Sequence, residues 1–480
     1  MSTQNITQKM SQHRWTICAL LFFATAINYL DRQVLSLTWK DFIAPEFHWT
    51  DTHYGLIAGV FSLVYAIGML FAGRFVDWLG TKKGFLWAIG IWSIGACLHA
   101  LCGVATQWVV GIDGYNAMVA VTSVKTIATI INVSVVLMII ARIVLAIGEA
   151  GNFPAAIKAT AEYFPKKDRA LATAIFNAGA TVGALAAPLS IPLLAKHFGW
   201  EMSFIIIGAL GFVWIGFWVF VYDKPEKHSK VNAAELAYIT QDKDEAPAAA
   251  AGATEKKLSW GECFKFKQTW AFAFGKFMTD GVWWFLLFWL PAYLDDIYGL
   301  KSSNTMGQLA IFAVYAIVMI SIYTGGQLPK YFMVNKGLNP YAGRMRAMLI
   351  FAIFPLLMLL AQPLGPYSFW FPVIIIGIAG TAHQSWSANL FSTVSDMIPK
   401  SAIATVVGIG GMAGGLGSFL INIGSGKLFT YAGETGMSFM GFSGKPAGYF
   451  IIFCICAVAY LIGWTVMKTL VPRYSPITVK

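Results

Sequence analysis

Charged residues are scarce in this chain. Asp, Glu, Lys and Arg make up 12% of its 480 residues, whereas hydrophobic residues make up 57%. A soluble protein carries about twice that charged fraction, so the composition excludes an ordinary water-soluble domain. The six cysteines form no CxxC motif and no Cys/His cluster, and we expect neither a disulfide framework nor a metal site.

Catalytic and nucleotide-binding patterns are also missing from the sequence. It contains no HExxH motif, no Ser/His/Asp grouping and no P-loop, so the residues favour neither an enzyme nor an ATP-driven pump. We therefore expect no enzymatic activity and no cofactor. The net charge of +11 is not a nucleic-acid signal here, because the basic residues follow the layout of the apolar segments.

Long apolar runs are what the sequence has in abundance. Each of them has about 20 residues, which is enough to cross a bilayer as a helix. The twelve runs are 14–36, 52–74, 84–106, 130–155, 168–193, 202–222, 268–294, 305–328, 345–363, 368–392, 401–426 and 447–470. This pattern predicts an all-α polytopic membrane protein with twelve transmembrane helices in two pseudo-symmetric halves, residues 1–222 and 267–480.

The distribution of Lys and Arg predicts the orientation in the membrane. If the amino terminus is cytoplasmic, 25 of the 34 Lys and Arg residues fall on the cytoplasmic side, 6 fall outside and three lie within the membrane. The positive-inside rule then places both termini in the cytoplasm. The first apolar run is too long for a cleavable signal peptide, so we predict a multi-pass membrane protein.

Three polar or irregular segments interrupt the helical pattern. The stretch 223–266 reads as a cytoplasmic linker, in which a capping box at Asn232–Glu235 opens a short amphipathic helix and 246–254 is a flexible tether. The segment 107–129 is apolar enough to be re-entrant or interfacial. The Gly- and Ser-rich segment 429–446 predicts an irregular surface loop on the outside.

Ionisable side chains at membrane depth recur on every third predicted helix. The first helix carries Asp31 and Arg32, and the fourth, seventh and tenth carry further groups: Arg142, Glu149, Lys276, Asp280 and His383. Such groups are costly in hydrocarbon and are kept where they face a partner, water or a ligand. A three-helix period repeated four times predicts that four helices surround one polar cavity, as in a secondary transporter.

The short loop after the second helix carries a more specific pattern. It reads GRFVDWLGTKK, with Gly73, Asp77, Gly80 and Lys82 in the positions of GxxxDxxGxK. We expect Asp77 to accept hydrogen bonds at a neighbouring helix start, where negative charge is favoured. This loop resembles the signature of the major facilitator superfamily, although Trp78 stands where Arg or Lys is usual. The resemblance implies that the motif is a conformational loop.

Further segments are similar to the anion:cation symporter group of that superfamily. Residues 28–32, NYLDR, resemble its YxDR motif. Residues 142–154 resemble RxxxGxxEAxxFP, with Ala146 in the usual glycine position, and 162–170 resemble (E/S)WFPxxxRA. Segments 175–179, 276–280 and 382–384 resemble the hexuronate transporters of the group. The resemblance implies a symporter that imports a sugar acid, such as glucuronate or galacturonate, across the bacterial inner membrane by alternating access.

Helical geometry divides the roles of the charged residues. Arg142 and Glu149 are two turns apart and share one helix face, whereas Asp31 and Arg32 point about 100° apart. Arginine stays protonated and grips a carboxylate with two parallel hydrogen bonds, so we predict that Arg32 binds the substrate carboxylate. We predict that Asp31 and Glu149 carry protons, with Arg142 as their regulating partner.

The remaining predicted site residues offer hydroxyl, amide, imidazole or aromatic groups at cavity depth. Lys276 and Asp280 are spaced i, i+4 and predict a local ion pair. A polyhydroxylated ring with one carboxylate suits a pocket with apolar walls and few polar groups. The predicted substrate-binding set is Arg32, Tyr29, Tyr65, Asn177, Lys276, His383, Gln384, Trp386 and Asn389.

Several alternatives remain open on the sequence alone. The transported anion could be an aldonate such as galactonate or an aldarate such as glucarate, and sodium could replace the proton. His383 could relay protons instead of binding a sugar hydroxyl. A channel and a membrane-embedded enzyme are rivals from other classes. The expected partners are the sugar-acid anion, the proton and the lipid bilayer, with no nucleic acid, and we expect a monomer.

Overall fold

The computed structural model describes residues 10–241 and 259–477, and most of these residues are helical. The amino-terminal half contains six long helices and three short ones. In chain order they are α1 (His13–Thr38), α2 (Ala44–Phe47), α3 (Asp51–Leu79), α4 (Thr81–Val110), α5 (Tyr115–Val119), α6 (Val124–Glu149), α7 (Asn152–Tyr163), α8 (Lys166–Phe198) and α9 (Trp200–Val221). A π-helical turn, Trp39–Ile43, joins α1 to α2.

The linker and the carboxy-terminal half are also mainly helical. The linker region carries α10 (Ala233–Thr240) and α11 (Trp260–Cys263). The helices of the carboxy-terminal half are α12 (Lys267–Tyr298), α13 (Thr305–Val318), α14 (Ser321–Val334), α15 (Pro340–Ile353), α16 (Met358–Leu364), α17 (Trp370–Met397), α18 (Lys400–Thr435) and α19 (Lys445–Leu470). A two-stranded hairpin, β1 (Ser438–Phe439) and β2 (Phe442–Ser443), precedes α19.

The described helices account for all twelve predicted membrane crossings. Nine helices or consecutive helix runs in the described ranges are long and apolar enough to cross a membrane. The other three crossings are α1, α12 and α17, which carry most of the ionisable groups predicted at membrane depth. The eighth and ninth crossings are each built from two helices, α13 with α14 and α15 with α16. The all-α, twelve-helix fold predicted from the apolar runs is confirmed.

Both ends of the described chain and the linker lie at one end of the bundle, which we call the linker end. The Glu235 carboxylate on α10 accepts hydrogen bonds from Ser11 Oγ (2.6 Å) and Arg14 Nη1 (3.0 Å) at the start of α1. The side chain of Asn232 accepts from the Glu235 N–H (2.9 Å), as the capping prediction requires. The carboxy-terminal tail returns to α12, where Gln268 Nε2 donates to Ser475 O (2.7 Å).

One segment prediction is corrected by the structure, and another lies outside the described residues. Residues 107–129, predicted to be re-entrant or interfacial, divide into the end of α4, the short helix α5 and the start of α6. Residues 429–446 are not one irregular loop, because α18 continues to Thr435 and only the hairpin region separates it from α19. The predicted flexible tether, 246–254, falls in the undescribed range 242–258.

The two halves meet most closely where α3 crosses α18. A Cβ atom added at Gly55 would lie 2.6 Å from Asn422 O and 2.9 Å from Gly426 Cα, so the two backbones touch at this crossing. Small residues permit such close approach between membrane helices. The contact continues toward the middle of the bundle, where Gly415 faces Ala66 and Ser62. Two long helices of opposite halves therefore form a direct seam.

Candidate functional site

A buried ion pair joins α1 to α6 in the amino-terminal half. Arg32 Nε and Nη2 donate to the same oxygen, Glu149 Oε2, at 2.9 and 2.7 Å. The Glu149 side chain is fully buried, and the Arg32 side chain is 4% exposed. The second carboxylate oxygen, Glu149 Oε1, has no hydrogen-bond partner among the described residues. The structure thus places Arg32 on Glu149, the acid that we had predicted to be regulated by Arg142.

Aromatic rings surround the Arg32 guanidinium on several sides. Its Cζ atom lies 4.7 Å from the ring centre of Tyr65, 5.1 Å from Tyr29 and 5.0 Å from Trp284. Cation–π attraction at these distances is favourable and strengthens when water is excluded. Trp284 belongs to α12, so the ion pair of the amino-terminal half is covered by a ring from the other half. The sequence reasoning had not singled out Trp284.

Asp31 and Arg142 are both buried without hydrogen-bonded partners among the described residues. Neither oxygen of Asp31 has a partner, although the residue is 1% exposed. Arg142 is 2% exposed, its Nε and Nη1 atoms are unpartnered, and its Cζ lies 5.1 Å from the ring centre of Phe61. A buried charge without a partner is costly. These two groups therefore hold the least satisfied charges of the amino-terminal half.

The carboxy-terminal half carries its charge pair within a single helix. Lys276 Nζ lies 2.6 Å from Asp280 Oδ2 on α12, which is the i, i+4 pair expected from the spacing. Lys276 Nζ also lies 4.6 Å from the ring centre of Phe391. A side chain at Gly414 of α18 would collide with the Asp280 carboxylate, so this glycine leaves room for the pair.

A second polar group in the carboxy-terminal half is centred on His383 of α17. His383 Nδ1 lies 2.8 Å from the Tyr460 hydroxyl on α19. The imidazole stacks on Trp283 of α12, with ring centres 5.2 Å apart and planes 4° from parallel. Sequence reasoning missed Tyr460 and Trp283, because neither carries charge and membrane helices contain many aromatic residues used for packing.

The other predicted binding residues lie in different surroundings. Asn177 on α8 is exposed and Gln384 on α17 is half-buried. Trp386 is fully buried, with its ring centre 5.7 Å from that of Tyr460. Asn389 Nδ2 donates hydrogen bonds to Gly325 O and Ser385 O, each at 2.8 Å. The bond to Gly325 links α17 to α14. Trp386 and Asn389 thus pack within the half.

The loop between α3 and α4 is held to its own half by ion pairs. Asp77 Oδ1 accepts from Lys158 Nζ of α7 at 2.8 Å, so its partner is a side chain and not the neighbouring helix start that we had expected. Lys82 Nζ lies 3.4 Å from Asp223 Oδ2. Gly80 adopts φ +79°, a conformation that favours glycine, and joins the two helices without a longer loop. Gly73 has open space around it.

The end opposite the linker is sealed by contacts between the halves, which include ion pairs and hydrogen bonds. Lys40 Nζ lies 2.9 Å from Asp296 Oδ1, and Lys445 Nζ lies 2.6 Å from Asp51 Oδ2. The crossed distances are 3.5 Å for Lys40 to Asp51 and 3.3 Å for Lys445 to Asp296. These four side chains form a ring of alternating charge across the two halves, which we call the charge ring.

The linker end shows a different arrangement of its described ion pairs. Arg344 pairs with Asp396 inside the carboxy-terminal half at 2.8 Å, and the pairs of Asp77 and Lys82 stay within the amino-terminal half. None of the ion pairs described at this end joins the two halves. The backbone contact between α3 and α18 at Gly55 lies toward the opposite end.

Fold and site together define a class of protein. A polytopic helical bundle, built from two halves that are sealed at one end and enclose buried paired charges, is the architecture of a secondary transporter. The chain belongs to the Major Facilitator Superfamily, whose family model matches residues 21–422. It is a multi-pass membrane protein of a transporter family.

Comparisons with individual proteins agree with this assignment. The chain is 27% identical over 468 residues to the hexuronate transporter of Escherichia coli strain K12, covering 96% of this chain and 95% of that protein. It is 24% identical over 467 residues to a probable galactarate/D-glucarate transporter of the same organism, covering 95% and 97%. These similarities support an organic-anion transporter.

A solved structure shares the fold along nearly the whole chain. It is that of a bacterial homolog of the human lysosomal transporter Spinster, in an inward-facing and occupied conformation. The TM-score is 0.67 at 18% sequence identity, and the match covers 95% of this chain and 97% of the other. At this identity the likeness speaks to the fold alone.

Proposed function

We propose that this protein is a symporter that imports a sugar acid, a hexuronate such as glucuronate or galacturonate, together with a proton. The observation that carries the proposal is the Arg32–Glu149 pair, buried between two helices and covered by Trp284 from the other half. The similarity to hexuronate and aldarate transporters supports the substrate class. The linker end is the cytoplasmic end, and the protein works as a monomer in a bacterial inner membrane.

Competition for Arg32 couples the anion to the proton in this proposal. The substrate carboxylate replaces Glu149 on the guanidinium fork, which binds carboxylates through two parallel hydrogen bonds. Glu149 then loses its cation in a place where an unpaired charge is costly. Taking up a proton neutralises Glu149 and lowers the cost of the loaded site. Release of the anion restores the ion pair and expels the proton.

Asp31 and Arg142 extend the same coupling. Asp31 serves as the second proton site, and Arg142 regulates both acids from its position on α6. Support comes from the unpartnered state of both side chains, because each gains most from a change in the charge of its neighbours. Movement of α6 relative to α1 as the halves rock changes which acid Arg142 compensates.

The carboxy-terminal half recognises the rest of the sugar acid. In this proposal Lys276, His383 and Gln384 supply polar groups from α12 and α17, and Asn177 supplies an amide from α8. Tyr29 and Tyr65 position Arg32 and offer hydroxyl groups beside it. Pockets of this kind combine apolar walls with a few placed polar groups. Trp386 and Asn389 hold α17 in place in this proposal, because their described contacts are internal.

A second candidate substrate is another organic anion, an aldarate or an aldonate. The similarity to the probable galactarate/D-glucarate transporter favours it, since that match covers almost the whole chain. An aldarate has two carboxylates, and Arg32 of one half and Lys276 of the other would each bind one of them. Sodium in place of the proton is the alternative driving ion.

Uptake into proteoliposomes tests the proposal. Purified protein is reconstituted, and accumulation of labelled glucuronate is followed under an inward proton gradient, an inward sodium gradient or neither. We expect accumulation with the proton gradient only, and competition by unlabelled galacturonate. Unlabelled galactonate and galactarate are added in parallel to test the second candidate.

A variant and its matched control identify the coupling group. Glu149→Gln should lose gradient-driven accumulation and keep exchange of internal for external glucuronate. Glu434→Gln makes the same chemical change at an exposed position of α18 and should behave as wild type. Absence of glucuronate transport by folded protein would overturn the hexuronate assignment, and accumulation that follows sodium alone would overturn the proton mechanism.

A further inference from the structure

The His383 ring is held by two side chains outside its own helix. Tyr460 contacts Nδ1 at 2.8 Å, and Trp283 stacks on the imidazole face. Trp283 lies on α12, three residues after Asp280, so the helix that carries the charge pair also supports the imidazole. Since Tyr460 is 1% exposed and His383 is 3% exposed, the contact is shielded from bulk water. The orientation of the imidazole is therefore fixed by the fold.

The Tyr460 hydroxyl determines which ring nitrogen carries the proton. A buried phenol needs an acceptor for its O–H, and the only described acceptor for Tyr460 is His383 Nδ1. If Nδ1 carried the proton, it would donate to Tyr460 and leave the phenol proton without an acceptor. The arrangement that satisfies both groups has Tyr460 donating to Nδ1 and the proton on Nε2.

The remaining ring nitrogen is then a fixed donor. Nε2 has no hydrogen-bond partner among the described residues and is not among the buried unpartnered atoms, so it keeps contact with open space. Lys276 lies on the neighbouring helix α12, where it adds positive charge near His383 and is itself paired with Asp280. An Nε2–H beside a cation is complementary to an oxygen acceptor of a ligand, and a ligand group that can only donate would not fit it.

We propose that Tyr460 is a positioning residue that holds His383 in the Nε2–H tautomer, so that Nε2 donates to an oxygen of the transported sugar acid. The inference rests on the proposed function for the identity of the ligand. According to this inference, His383 and Tyr460 determine which polyhydroxylated anion is selected, and Arg32 binds the carboxylate of that anion. His383 is thereby a recognition group and does not relay protons.

Nuclear magnetic resonance tests the tautomer without any transport assay. Protein labelled with ¹⁵N at its histidines is studied in detergent, and the His383 signals are identified by their loss in His383→Gln. We expect Nδ1 to show the shift of an unprotonated ring nitrogen and Nε2 that of a protonated one. In Tyr460→Phe the two tautomers should mix or exchange. A protonated Nδ1 in the wild type would overturn the inference.

Transport kinetics test the recognition role. Tyr460→Phe removes one oxygen atom and keeps the ring, and loss of one hydrogen bond of ordinary strength should raise KM for glucuronate about five- to tenfold, with a smaller change in kcat. Tyr431→Phe makes the same change at an exposed position of α18 and should leave KM unaltered. Selectivity is a second readout. Tyr460→Phe should raise KM much less for a glucuronate analogue that lacks the contacted hydroxyl than for glucuronate.

A double variant separates positioning from packing. If Tyr460 acts through His383, the KM effect of Tyr460→Phe should disappear in a His383→Gln background. Equal and additive effects in both backgrounds would overturn the positioning role. Should the wild type fail to transport any hexuronate, the proposed function fails, and the tautomer measurement still decides whether Tyr460 sets the state of His383.

Discussion

The charge pairs of the two halves differ in what holds them together. In the amino-terminal half, Arg32 and Glu149 lie on different helices, α1 and α6, and meet only because those helices pack. In the carboxy-terminal half, Lys276 and Asp280 lie one turn apart on α12, so their pairing is set by the helix itself. A shift of one helix against another can break the first pair and leaves the second intact.

This difference predicts a division of roles between the two halves. A group that binds and releases a proton in each cycle needs a partner that can leave, and the pair between helices provides one. A group that recognises the same substrate in every cycle gains from a fixed partner, as Lys276 and the Tyr460-supported His383 have. We therefore expect the amino-terminal half to couple transport to the proton and the carboxy-terminal half to select the anion.

The largest expected effect comes from removing the cation of the amino-terminal pair. Arg32→Gln leaves Glu149 buried without a partner and removes the carboxylate ligand, and breaking a buried pair in this way costs about 3–5 kcal/mol. Glucuronate uptake should fall about 100-fold or more. The matched control is Arg473→Gln, at an exposed position of the carboxy-terminal tail. Uptake by Arg32→Gln within a few-fold of wild type would show that another cation binds the substrate.

A moderate effect is expected in the carboxy-terminal half, and it should depend on which partner is lost. Asp280→Asn leaves Lys276 without its carboxylate, and we expect KM to change about tenfold while uptake still follows the proton gradient. Lys276→Gln combined with Asp280→Asn removes both charges and should cost less than the two single effects summed. The measurement is the double-mutant cycle on KM. Loss of proton dependence in Asp280→Asn would contradict the division of labour.

The smallest expected effect concerns the charge ring at the sealed end. Lys445→Gln removes the contact with Asp51 and should raise the population that is open at that end several-fold, since a partly exposed pair contributes about 1 kcal/mol. Ser302→Cys reports on this opening, because Ser302 is 4% exposed and its hydroxyl donates to Leu37 O. Labelling of that cysteine by a membrane-impermeant maleimide should accelerate.

The labelling experiment needs a control for the native cysteines, and one outcome would contradict the prediction. Protein without Ser302→Cys reports the reactivity of the native cysteines, which are free thiols in the described structure. Unchanged labelling in Lys445→Gln would mean that the α3–α18 seam alone keeps this end closed. The charge ring would then play no part in keeping this end closed.

Local sequence patterns were enough to predict the membrane-spanning helices and to identify which of them carry charged residues. Apolar length alone predicts a membrane crossing, and the capping pattern at Asn232 predicted the start of α10. The pairing of Arg32 with Glu149 could not be predicted, because two residues 117 positions apart meet only through the packing of α1 against α6. The sequence instead predicts Arg142 as the partner of Glu149, because the two residues share one helix face.

The direction in which a polar side chain faces also could not be predicted from the sequence. Trp386 and Asn389 lie near His383 in sequence, yet they point into the packed interior of their half. Tyr460 is an uncharged residue on the last helix, and only its contact with His383 reveals a role. Hydrophobic pattern identifies a membrane helix, whereas rotation of the helix about its axis depends on its neighbours.

Proton flux driven by substrate tests the central claim most directly. Proteoliposomes that contain a pH-sensitive dye are given external glucuronate without a pH gradient, and luminal acidification is compared with uptake of labelled glucuronate. Wild type and Asp280→Asn should bring in the same number of protons per glucuronate, whereas Glu149→Gln should show exchange without acidification. A normal proton ratio in Glu149→Gln, or a lost ratio in Asp280→Asn, would contradict the claim that the pair between α1 and α6 couples transport to the proton.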